Sequence, residues 1–109
     1  MSRNPARKGR SDSNQPAIAQ AIQALGCPVM DLSAAGNGVE DLLVGIRFAP
    51  DNSWEHPLIM QSWLLVECKV PPIKYTSAQK AWRERTAGWP RITATSGQDA
   101  IRQIREMTG

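Results

Sequence analysis

Apolar positions recur along the chain at two spacings, and together they lay out its elements. In "SNQPAIAQAIQALG", Ile18, Ile22 and Leu25 fall at helical intervals. Ser13 or Asn14 can cap this segment, Pro16 sits in its first turn and Gly26 stops it, which predicts a helix over about 15–25. "CPVMDLSA" gives a short strand over about 28–32. The glycines of the "AAGNG" loop that follows allow a tight turn and a close backbone approach. "VEDLLVGIRF" is rich in branched residues and predicts a strand over about 40–48; "APDNSWEHP" is turn chemistry leading back to a second strand in "SWLLVECKV". The two form a hairpin with a long connection, and Pro71 and Pro72 end it. A second helix fits "TSAQKAWRERTAG": Thr76 or Ser77 caps it, Ala78, Ala81, Trp82 and Arg85 are spaced along it, and Gly88 closes it. "PRITATS" reads as a strand. Ser96 then caps a last helix, "GQDAIRQIREM", with Ile101, Ile104 and Met107 as its apolar stripe.

The order helix, three strands, helix, strand, helix predicts an α/β domain, a central mixed sheet flanked by helices. With 109 residues and 41% hydrophobic content there is material for one core, and residues 13–109 are assigned to it. Charge adds a second feature. Arg3, Arg7, Lys8 and Arg10 account for the net +3, since residues 11–109 carry nine bases against ten acids. Residues 1–12 therefore read as a basic, disordered tail, either a solubilising terminus or an electrostatic tether for a polyanion. No run is long enough to span a membrane and the N-terminus lacks a secretory pattern, so a soluble, cytoplasmic protein is expected. Cys27 and Cys68 form no CxxC pair and His56 is the only histidine; buried thiols are expected, not a zinc cluster or a disulfide framework.

The chemistry lies in "WLLVECKVPP". On a strand Leu65, Glu67 and Lys69 share one face, and Leu64, Val66, Cys68 and Val70 share the other. Alone, an acid and a base two residues apart usually mark a solvated strand face. The combination changes the reading. Asp41 opens one strand and Glu67 closes the next, so a hairpin brings both carboxylates to one end of the sheet. Two carboxylates with the Cys68 carbonyl suit Mg²⁺, a hard cation that takes oxygen ligands. Lys69, beside them, can orient or help deprotonate an attacking water, or neutralise charge developing on a phosphate.

"GNGVEDLLVG" at 36–45, "LLVECK" at 64–69 and "YTSAQKAW" at 75–82 together resemble the PD-(D/E)XK nucleases, in particular the VRR-NUC type found in bacteriophages and some repair nucleases. The resemblance runs from about residue 13 to 107. It implies a restriction-endonuclease-like core and hydrolysis of phosphodiester bonds dependent on Mg²⁺ or Mn²⁺. Position by position, Asp41 takes the metal-binding aspartate, Glu67 the second carboxylate, Lys69 the lysine, and Gln79 a glutamine at the start of the following helix. Two positions depart from the pattern. Glu40 replaces the usual proline and adds a charge beside the site; Asn14 and Gln15, with Asp12 nearby, stand where the first helix often presents an acid, which favours one-metal over two-metal chemistry. Lys74, Lys80 and Arg83 are placed to contact DNA phosphates. Trp82 and Trp89 are expected in the core or at a dimer contact, and Trp54 and His56 in an exposed turn without a catalytic role.

The resulting expectation is an endonuclease acting as a homodimer on branched or structured DNA such as Holliday junctions, in a bacterial or phage-infected cell. A DNA-binding or accessory protein of the same fold without hydrolytic activity is the alternative, with Asn14 as its best support. A small protein-interaction domain with coincidental charges is a third, and it predicts no metal binding.

Overall fold

The computed structural model describes residues 13–48 and 60–108; the basic tail, the turn that carries Trp54 and His56, and Asp12 lie outside the described residues. Helix α1 (Gln15–Ala24) leads into a short strand β1 (Val29–Asp31) and one 3₁₀ turn (Ser33–Ala35). Strands β2 (Leu42–Phe48) and β3 (Met60–Cys68) follow, then α2 (Ser77–Arg85), β4 (Arg91–Ala94) and α3 (Gly97–Thr108). The elements and their order match those the pattern predicts, with ends shifted by a residue or two.

The four strands make one mixed sheet in the order β1-β2-β3-β4. β1 with β2 and β2 with β3 are antiparallel, and β4 runs parallel to β3. A parallel neighbour requires a crossover, and the segment carrying α2 supplies it. The sheet is mixed for that reason.

Helices α1 and α3 cover one face. Ile18 and Ile22 of α1 and Ala100 and Ile104 of α3 pack on Leu42, Val44, Ile46, Leu64, Val66 and Cys68, all buried. The even-numbered residues of β2 and β3 thus make the main core, as alternation along a strand requires. The apolar stripe of α3 is Ala100 and Ile104; Met107, expected to extend it, is exposed, and Ile101 is half-buried. Helix α2 lies toward the other face and buries none of its own residues. Trp82 is half-buried there, whereas Trp89 is 61% exposed and lies outside the core. Cys68 is buried as expected, and Cys27 is only half-buried. Among the described residues no helix is long and apolar enough to cross a membrane.

Candidate active site

Strand register builds the site. Leu42 pairs with Val66, so Asp41, one residue before β2, stands beside the last residues of β3. Its Oδ2 accepts the Cys68 N–H at 2.8 Å. In an antiparallel ladder a residue's N–H and C=O face the same neighbour, so the Cys68 carbonyl is directed to the edge where Asp41 stands. The loop before Asp41 is held at both ends. Asp31 accepts from the Ser33 amide at 2.8 Å, and the Leu32 N–H donates to the Asp41 carbonyl at 2.7 Å.

Glu67 is 4% exposed and Lys69 is half-buried, with Nζ and Oε2 3.5 Å apart. The pair meets as alternation predicts, but it is no solvated strand face. Burial first, and the neighbouring charge of Asp41 second, push the Glu67 carboxyl from 4.5 up to about 7; Lys69 opposes this only in part. The ionised form of Glu67 is therefore costly here, and a divalent cation beside it would relieve that cost.

Gln79 joins acid and base. Its Nε2 donates to Glu67 Oε2 at 2.7 Å, and its Oε1 accepts from Lys69 Nζ at 3.0 Å and from the Thr76 amide at 2.9 Å. The Gln79 N–H donates in turn to Thr76 Oγ1 at 3.1 Å, which completes a capping box at the start of α2. One side chain therefore closes the helix terminus and bridges the two charged groups. Tyr75 supports the same lysine: its ring centroid lies 5.3 Å from Lys69 Nζ, and its hydroxyl is 2.6 Å from Thr93 Oγ1. Sequence reading gave Tyr75 no role, because its partners are remote in the chain and leave no local signal.

Gly38 brings the loop against α2. It has φ +82, and a Cβ there would overlap the carbonyl of Ala78. The close approach expected of the "AAGNG" loop is therefore made with the N-terminal backbone of α2. Between them Gly38, Asp41, Glu67, Lys69, Thr76 and Gln79 line a cleft of about 400 Å³.

These donors fit a hard divalent cation: two carboxylates and a carbonyl directed to the same edge, with space for water or phosphate oxygens. Among the described residues no three His, Cys, Asp or Glu side chains come together. Asn14 does not line the cleft. Its Nδ2 donates to the carbonyls of Lys69 at 3.0 Å and Thr95 at 2.8 Å, so it ties α1 to the ends of β3 and β4 and anchors the backbone that carries Lys69.

Lys74 and Lys80 are exposed on either side of the α2 start. Arg83 turns inward. It stacks 4.5 Å from the Tyr75 ring centroid and lies 3.9 Å from Glu40, so internal partners engage the phosphate contact expected of it. Glu40, expected to add charge beside the site, is 1% exposed; it pairs with Arg91 at 3.0 Å and accepts from Trp82 Nε1 at 2.7 Å. Its charge is compensated between α2 and β4, and it reaches Glu67 as the weakest of the causes that act there. The chain matches no family model, no curated protein and no solved structure, so the chemistry of this cleft is read from its own residues.

Proposed function

We propose that the chain is a Mg²⁺- or Mn²⁺-dependent endonuclease of the PD-(D/E)XK kind, with a restriction-endonuclease-like core, hydrolysing phosphodiester bonds in DNA. The observation that carries this reading is the convergence of Asp41, Glu67 and Lys69 on one cleft, with the Cys68 backbone between them. Branched or structured DNA such as Holliday junctions is the substrate class the motif resemblance favours, with the chain acting as a homodimer in the cytoplasm.

In this reading Asp41, Glu67 and the Cys68 carbonyl would hold the cation, which when bound would supply polarisation of a phosphoryl oxygen and a lowered pKa for water. Water adds to phosphorus and gives up a proton to solvent, the P–O ester bond breaks and its oxygen leaves with a proton from solvent, and negative charge gathers on the phosphate oxygens in between. The Lys69 ammonium meets that charge, and Gln79 holds it at a fixed distance from Glu67 so that no reorganisation is needed during the reaction. Lys74 and Lys80 position neighbouring phosphates without reading sequence.

The test is cleavage of labelled four-way junction, flap, duplex and single-stranded DNA with Mg²⁺, Mn²⁺ or EDTA. Metal-dependent cutting is expected, reduced by roughly 10²–10³-fold or more in Asp41→Ala and Lys69→Ala. A junction that is bound but never cut overturns the enzyme reading in favour of a DNA-binding protein of the same fold.

A further inference from the structure

A second and larger cavity, about 720 Å³, opens at the opposite end of the sheet. Arg47, Gln61 and Trp63 border it on the face that carries Glu67, and Ser62, Leu25 and Ile104 border it from the α1–α3 side; among the described residues no acidic one lines it. Arg47 pairs with Gln61 and Gly45 with Trp63 across β2 and β3, so these side chains share one face of the ladder. A Cβ at Gly45 would lie 3.4 Å from Trp63 Cζ3. The indole therefore lies beside a residue without a side chain, and it remains 61% exposed. A tryptophan kept in the open, next to an exposed arginine and a primary amide, has the chemistry of a nucleotide subsite: a ring face for a base, a cation for its phosphate and an amide for base edges.

Position links this cavity to the cleft. Trp63 and Glu67 stand on the same face of β3, four residues apart, a separation of roughly 13 Å. That is the length of roughly four nucleotides stacked at ~3.4 Å. We infer that the Trp63–Arg47 cavity binds an unpaired stretch of the nucleic acid whose phosphodiester is cut in the Asp41–Glu67 cleft, a base stacking on Trp63 and its phosphate meeting Arg47. The inference rests on the nuclease reading for the identity of the polymer, and its test separates the two. Single strands leave base faces accessible whereas a duplex hides them, so the subsite selects an unpaired arm or overhang.

The experiment is equilibrium binding of fluorescent (dT)₁₂ and of a blunt 12-base-pair duplex in EDTA, followed by cleavage in Mg²⁺. Trp63→Ala is expected to weaken (dT)₁₂ binding by roughly 5–100-fold and Trp63→Phe by less than about threefold, with little change for the duplex. Arg47→Ala is expected to reduce the slope of log affinity against log salt by about 0.7. Thermal melts establish that each variant is folded. Wild-type affinity for (dT)₁₂ in folded Trp63→Ala overturns the subsite and leaves the nuclease standing. Should Trp63→Ala fail to fold, an unchanged salt slope in Arg47→Ala overturns it instead. Trp63-dependent binding of (dT)₁₂ without cutting of any substrate supports the subsite and removes the nuclease, and a wild type that does not bind (dT)₁₂ yet cuts a substrate of the cleavage panel overturns the subsite alone.

Discussion

Glu67 carries two demands that conflict in the metal-free protein. It must be ionised to hold a cation, yet burial and the nearby Asp41 carboxylate raise its carboxyl to about 7. The fold therefore favours the neutral form, while the unfolded chain ionises from 4.5 upward. The unfolded state binds fewer protons across that interval, so stability falls as pH rises from about 4.5 to about 7 and stays reduced above it. Glu67→Gln mimics the neutral form and can still accept from Gln79 and Lys69. In EDTA it is expected to be more stable than wild type by roughly 1–3 kcal/mol at pH 8 and equal to it near pH 4, read from urea midpoints. A gap that does not change with pH contradicts the assignment. The E-x-K pair was legible in the sequence, but its burial was not. That depends on how closely the start of α2 covers Glu67, a tertiary fact with no trace in the local pattern.

At the scale of elements, α2 acts through its first turn. It buries none of its own residues, so it contributes little to the core; its end is pinned by the Thr76 and Gln79 capping box and by the approach of Gly38. The cap was legible as Thr76 or Ser77, and the structure uses Thr76. The reach of the Gln79 amide to Glu67 and Lys69 was not, because spacing along a helix says nothing of the strand it faces. The two functions separate by mutation. Thr76→Ala removes the hydroxyl cap, costs about 1 kcal/mol and is expected to leave cleavage within severalfold of wild type, since the Gln79 amide still has Glu67 and Lys69 as partners. Gln79→Ala deprives both charged groups of a buried partner. It is expected to cost roughly 1–3 kcal/mol and to lower kcat by at least tenfold, measured on the best substrate of the cleavage panel. Equal kcat losses in the two variants would assign Gln79 to the helix alone.

Over the whole molecule the patterns that proved legible are the periodic ones. Ile18 and Ile22 on α1, Ile104 on α3 and the alternating residues of β2 and β3 fill the core because each element repeats its apolar spacing against one face of the sheet. Pairings between remote single residues, Glu40 with Arg91 or Asn14 with the Lys69 carbonyl, have no period and were not legible. Yet these link the elements, and they tie the stability of the molecule to its site. A cation held by Asp41 and Glu67 binds the folded chain alone, so it stabilises by RT ln(1 + [L]/Kd), about 2.7 kcal/mol at a hundredfold excess over Kd. In a domain of this size 1 kcal/mol moves the midpoint by roughly 4–8 °C. Mg²⁺ at constant ionic strength is therefore expected to raise Tm, and to raise it more at pH 8 than at pH 6, because below about 7 the cation must displace the Glu67 proton. Asp41→Asn should abolish the rise at both pH values, whereas Arg102→Ala, an exposed residue of α3 paired with Asp99 and Glu106 of the same helix, should leave it intact. A rise that persists in Asp41→Asn places the cation elsewhere and removes the metal from this cleft, whatever the cleavage assays return.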